Sequence, residues 1–287
     1  MNSLTVTKLL HVNQLVDDFD AARAFYARVF GAREYWTGYD VAENRDASLF
    51  LVGDTCIELF APRDRTSLLG ASLDRYGSSW HSFEWQVPDL EQAHAALVAR
   101  GVRIPTYRPG SFLMTHPADC HGMLIELCPL EMTGDPRIEA GWSASFWRDE
   151  HPLGVTGLRA MSVAVRDVDT AEAWLSGLVG TAARYRERRP ELDAVVGGVP
   201  VAGVDVELVQ PASGGGPVAD YLARYGQRLR SIEFGVVDVD GARVHLESCG
   251  LRVVDGSRVG AIAVAETDNW GVRWEFAAPP DSVPFSP

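Results

Sequence analysis

Residues 82–91 read SFEWQVPDLE, and residues 231–240 read SIEFGVVDVD. Both are β-prone runs in which a serine and a glutamate alternate with apolar residues, and both end in an acidic turn. Strand alternation puts Ser82 and Glu84 on one face, with Phe83 and Trp85 on the other. The likeness extends outward. LLHVNQLVDDFD (9–20) answers LRAMSVAVRDVD (158–169), CIELFAP (56–62) answers DVELVQP (205–211), and LIELCP (124–129) answers RWEFAA (273–278). Every pair is offset by the same 149 positions, with no net insertion or deletion. A constant offset over that length marks a duplicated half.

Each half repeats a shorter unit: a strand, an acidic turn, an amphipathic helix closed by glycine, then short β-rich runs. Asp18 or Asp20 is expected to cap a helix with Ala22, Phe25, Tyr26, Val29 and Phe30 inward, stopped at Gly31. Asp89 is expected to cap one with Leu90, Ala93, Leu97 and Val98 inward, stopped at Gly101. Asp167 to Gly180 and Asp238 to Gly250 repeat the arrangement, and a linking helix ends in Arg-Tyr-Gly at 75–77 and 224–226. The expected fold is α+β, four βαβββ modules paired into two domains, each a curved sheet around a cleft with helices outside. The domains are expected at residues 1–131 and 158–287, joined by a Gly-, Pro- and Trp-rich linker at 132–157.

A length of 287 residues suits two domains with buried cores, and 46% hydrophobic with 23% charged residues is a globular composition. The formal charge of −13 argues against nucleic acid or an anionic membrane as partner. No apolar run approaches the roughly 18 residues of a membrane span, and no signal peptide is readable at the N-terminus. Cys56, Cys120, Cys128 and Cys249 lack CxxC spacing and read as reduced thiols, so a cytoplasmic location is expected. Lys8 is the single lysine among the 26 Lys and Arg residues and lies in no special context, which argues against Schiff-base chemistry. The chain shows no Gly-rich phosphate loop, no Ser-His-Asp nucleophile context and no basic patch with interleaved aromatics.

The module order resembles the vicinal oxygen chelate superfamily, which groups glyoxalase, bleomycin-resistance and extradiol-dioxygenase proteins. Within the first half, GDTCIELFAP (53–62), VPDLEQAHAALVARGV (87–102) and FLMTHPADCHGMLIELCP (112–129) are similar to methylmalonyl-CoA epimerases. The resemblance implies one divalent metal ion in the cleft, held by His11, Glu58 and Glu126, with a fourth ligand at or beside His81. Strict alternation turns Ser82 inward and His81 away, whereas a bulge at Trp80–His81 would bring His81 in. Glu84 reads as a hydrogen-bonded cleft residue, or as an extra ligand or general base. Two carboxylates facing one cleft repel unless a cation stands between them, which favours a metal there. In the second half Ala160 replaces His11 and Arg230 stands opposite His81, leaving Glu207 and Glu275. That half is expected to bind no metal in this way.

The resulting expectation is a metal-dependent isomerase or lyase that moves a proton next to a carbonyl of a small-molecule substrate, with Glu84 and Glu126 catalytic. A ring-cleaving dioxygenase and a non-catalytic antibiotic-binding protein stay open as alternatives, and a homodimer is one assembly open to the chain. Trp36, Tyr39, Phe50, Phe60, Trp85 and Phe112 are candidates for a pocket lining or, for most of them, core. His116 and His121 read as turn residues before the last strand of the second module.

Overall fold

The acidic turns start helices as the sequence predicts. Asp18, Asp89, Asp167 and Asp238 accept from backbone amides of the first turns of α1 (Phe19–Phe30), α3 (Leu90–Val98), α4 (Val168–Val179) and α6 (Val239–Ser248). Gly31 and Gly180 close α1 and α4 in the left-handed conformation. Val98, expected inward, is 52% exposed. The buried stripe of α3 is Leu90, Ala93, Ala96 and Leu97, and one step beyond Leu97 rotates the next side chain off that face.

The structure is a computed structural model that describes residues 3–279; residues 1–2 and the end of the expected second domain, 280–287, lie outside the described residues. In the first half, β1 (Lys8–Leu15), α1, β2 (Arg33–Asp40), β3 (Arg45–Val52) and β4 (Thr55–Pro62) form one module. The linking helix α2 (Leu68–Tyr76) leads to β5 (Ser79–Gln86), α3, β6 (Thr106–Arg108), β7 (Phe112–Met114) and β8 (Ile125–Cys128). Their sheet runs β2-β3-β4-β1-β5-β8-β7-β6. The second half repeats it with β9 (Val155–Ala164), α4, β10 (Tyr185–Arg189), β11 (Ala194–Val201), β12 (Val204–Pro211), α5 (Pro217–Tyr225), β13 (Arg228–Val236), α6, β14 (Val253–Asp255), β15 (Ile262–Val264) and β16 (Arg273–Ala277). That sheet runs β10-β11-β12-β9-β13-β16-β15-β14. All four expected βαβββ modules are present. No helix among the described residues is long and apolar enough to cross a membrane.

Both faces of each sheet are partly covered. On the concave face, α2 sets its Leu73 over Leu15, Ala47 and Phe60; at the same offset of 149, α5 sets its Leu222 over Ala164, Val196 and Val209. On the other face α1 lies between the two sheets. Its Tyr26 stacks on Phe50 of β3 and on Trp274 of β16, and Phe30 stacks on Trp274 at 4.3 Å and on Phe276. One apolar core therefore runs through both halves. The halves also touch through backbone. Gly122 and Gly271, which are offset equivalents, have positive φ and press against the backbone of Gln227 and of Ser78, themselves offset equivalents.

The linker is ordered against the first half, and β9 starts within the expected linker, at Val155. Trp147 is buried and donates from its indole nitrogen to the Gly31 carbonyl at 3.0 Å. Next to it, His151 covers Gly31 and meets His245 of α6 edge-on at 5.1 Å. Burial, aided by His245, pushes the His151 imidazole down to about 4. A histidine whose folded-state value lies below its unfolded 6.5 contributes stability above that pH and loses it as pH falls toward 4. The melting temperature should therefore drop more steeply between pH 6.5 and 4 in the native chain than in His151→Gln. Equal slopes would show that this histidine does not contribute.

Candidate active site

Four neighbouring strands, β4-β1-β5-β8, carry the residues picked out from the sequence. Backbone register sets Glu84 between His11 and Glu126, and Asn13 between Glu58 and Ser82. All six are buried. Their apolar neighbours in the strands, Ile57, Leu59, Phe83, Trp85, Ile125 and Leu127, face the core, as alternation requires.

The polar groups form one connected network. His11 Nε2 lies 2.8 Å from Glu84 Oε2, and its Nδ1 bonds the side-chain oxygen of Asn13. The Asn13 amide nitrogen donates to Ser82 Oγ and to Glu126 Oε1, each at 2.8 Å. Ser82 in turn donates to the same Glu126 oxygen at 2.5 Å. Both bonds to Glu126 end on Oε1; among the described residues Oε2 has no hydrogen-bond partner. Burial works against a charge on His11, but Glu84, then Glu58 and Glu126, outweigh it and hold the imidazole up at about 9. His11 is thus an imidazolium at neutral pH, both of whose N–H groups are used. Burial, with the negative charges of Glu84 and Glu58, pushes the Glu126 carboxyl up to about 7.

Strand β5 carries a bulge that strict alternation does not anticipate. Asn13 pairs with Ser82 and Gln14 with Trp80, which leaves His81 as an extra residue. A bulge of this kind re-aims side chains. His81 and Ser82 consequently stand together, His81 Nδ1 at 2.9 Å from Ser82 Oγ with its ring edge-on to Phe60. Burial, then the nearby Arg228 and Arg45 charges, push His81 down to about 3, so the ring is neutral.

Arg45, the first residue of β3, is a site residue that the sequence reading missed. Its guanidinium crosses the face of Phe60 at 4.5 Å and reaches Glu58 Oε1 at 3.0 Å and Glu43 at 2.7 Å. The strand residues Ser48 and Phe50 turn the other way, Ser48 bonding Glu34 and Phe50 stacking on α1. A cavity of about 410 Å³ opens on this face, walled by Asn13, Arg45, Phe60, His81, Leu68 and Glu126 among others. His11, Glu58 and Glu84 do not line it. Of the candidate aromatics only Phe60 does; Phe50 and Trp85 belong to the core. His116 caps the turn at Pro117–Asp119, accepting from the Ala118 amide.

The family profile described as Glyoxalase/Bleomycin resistance protein/Dioxygenase superfamily matches residues 10–113 and, a second time, residues 161–265. The chain belongs to this superfamily. Relatives named methylmalonyl-CoA epimerase from Bos taurus and Homo sapiens are 31% and 30% identical over 130 residues, which is 42% of this chain and 73% and 72% of theirs. A mutant 4-hydroxymandelate synthase from Streptomyces coelicolor superposes with a TM-score of 0.74 at 14% identity, over 96% of this chain and 95% of that one, and shares the fold.

The second superfamily half places the same carboxylates among arginines. Arg189 grips Glu207 with two nitrogens, at 2.9 and 2.5 Å, and Arg258, Tyr185 and Ser162 add bonds of 2.9, 2.7 and 2.7 Å. Burial opposes that charge, but Arg189 and Arg258 outweigh it and keep Glu207 down at about 2. Glu275 is held by Arg273 and Ser257. Arg230 is itself a bulge residue, equivalent to His81, and stands 3.6 Å from Glu275.

A divalent ion requires several donors around one point. Among the described residues no three His, Cys, Asp or Glu side chains come together in that way. The first-half donors are each engaged already: Glu58 by Arg45, His11 at both nitrogens, and one oxygen of Glu126 by Asn13 and Ser82. As arranged, the residues do not fit the metal ion that the resemblance implied.

Proposed function

We propose that the first-half cleft is the active site of an isomerase or lyase that moves a proton next to the carbonyl of a small-molecule substrate, with Glu126 as the base. The observation that supports it most is the state of that carboxyl group. One oxygen is fixed by Asn13 and Ser82, and the group lines a cavity large enough for a small ligand. A base must be held in one orientation, reach the reacting atom and have a pKa near the working pH. Glu84 acts from behind: paired with His11, its charge helps raise Glu126 and it takes no proton from the substrate. The relatives named as epimerases support the reaction class.

The test is hydrogen exchange in D2O, followed by NMR, on a panel of acyl thioesters and 2-oxo acids with an acidic α-hydrogen, methylmalonyl-CoA included. The chain should accelerate exchange for at least one class, and Glu275→Gln should retain that exchange because its carboxylate serves the other half. A second reading, binding without turnover, is favoured by Leu68, which lines the cavity while 92% exposed. Tight binding of panel compounds with no exchange in any of them would select that reading and sink the first.

A further inference from the structure

Two clefts in this chain meet the same electrostatic demand in the same way, from unrelated positions. Each sheet presents a buried glutamate at the equivalent place, Glu58 on β4 and Glu207 on β12. Neither carboxylate is left to find a cation from outside. Glu207 is neutralised by Arg189 and Arg258, and Glu58 by Arg45. At the offset of 149, Arg45 corresponds to Ala194, Arg189 to Asp40, and Arg258 to Pro109. The guanidinium groups are therefore not copies of one ancestral residue but separate solutions.

The route that Arg45 takes is built into the strand. It starts β3, two residues before Ala47, and both positions pair onto the end of β4, Arg45 with Pro62 and Ala47 with Phe60. The methyl group of Ala47 leaves the face of Phe60 open, and the arginine lies across that ring to reach Glu58 two positions along β4. Glu43 fixes it from the other side. A planar guanidinium is well suited to such a place, since it stacks on an aromatic ring while donating to carboxylates in its plane.

We infer that the cation the first cleft presents to its cavity is the Arg45 guanidinium and that the cleft holds its carboxylates, and meets its ligand, without a divalent metal. Arg45 lines the cavity beside Glu126, so the positive charge available to a ligand's carbonyl or carboxylate oxygen comes from this side chain. Removing the guanidinium should expose Glu58, Glu126 and the cavity to an external ion.

Metal analysis of the full chain after dialysis, with titration by Mn²⁺ and Zn²⁺ followed calorimetrically, tests this without reference to turnover. The native chain should carry well under one equivalent of metal, and chelator should leave its melting temperature unchanged. Arg45→Ala should bind Mn²⁺ or Zn²⁺ at least tenfold more tightly than the native chain, and Arg45→Lys, which keeps the charge, should not. Adding Glu58→Gln to Arg45→Ala should abolish the gain. One equivalent of metal in the native chain, lost in His11→Ala, would overturn the inference, as would an Arg45→Ala chain that gains no affinity. Should Arg45→Ala not fold, Glu58→Gln alone decides: unchanged metal content supports the inference, and loss of bound metal refutes it.

Discussion

Glu126→Gln is expected to lower substrate turnover by about 10²- to 10⁴-fold, the range over which a positioned general base accelerates a proton transfer. The amide has nearly the shape of the carboxyl group and keeps an oxygen for Asn13 and Ser82, so the network has no reason to collapse. It also removes a charge that burial, Glu84 and Glu58 already disfavour. The melting temperature near neutral pH should therefore stay within a few degrees of the native value. In the native chain only the ionised carboxylate accepts a proton, so turnover should climb as pH rises through about 7 and level off above it. A rate that stays flat from pH 5.5 to 8.5, or a glutamine variant with more than a tenth of native turnover, would remove Glu126 from this role.

Gly271→Ala should unfold the chain more readily than any substitution at a comparable surface turn. Gly271 has φ of 73°, a conformation that costs a side-chain-bearing residue roughly 1–2 kcal/mol. A Cβ there would lie 1.9 Å from the Ser78 carbonyl oxygen, which belongs to the backbone of the other half and has little room to retreat. Forcing such a contact adds about 1–3 kcal/mol or more. Gly101→Ala is the control: its φ of 76° carries the same strain, and nothing lies within 4 Å of its Cβ. Gly122→Ala should match Gly271→Ala, because its Cβ would meet the Gln227 backbone at 2.3 Å. Chemical denaturation measures all three. If Gly271→Ala and Gly101→Ala proved equally destabilising, the two halves would not be pressed together at this point.

The fold was legible because its two signals are local and repeated. Alternation in 82–91 and 231–240 gave the strands, the acidic caps gave the helix starts, and the constant offset tied them into two copies. The inward positions of Glu58, Glu84 and Glu126 followed from the same alternation and that of His11 from the resemblance; Asn13, two residues past His11, was within reach of alternation too. The bulge at His81 stood only as an alternative to strict alternation, because alternation says which face a residue takes only while the pairing stays in step. A hint was present: His81-Ser82 and Arg230-Ser231 each place two polar residues side by side in a strand that otherwise alternates. Arg45 offered no such hint. It is one among many arginines, and its value depends on reaching across Phe60 to a carboxylate on the next strand, a tertiary fact. The metal expectation rested on the resemblance and on the repulsion between carboxylates, and neither locates this cation.

The helix between the sheets bears on how the chain is made. Tyr26 and Phe30 emerge from the ribosome long before Trp274 and Phe276, which cover them. Until β16 is complete the apolar outer side of α1 has no partner, so a nascent or truncated chain exposes the aromatic surface that the finished chain buries best. Pairing segments so far apart in the sequence is also entropically slow. Folding of the two halves onto α1 therefore waits for β16, and a chain released before Trp274 should associate or be degraded rather than persist as a working half.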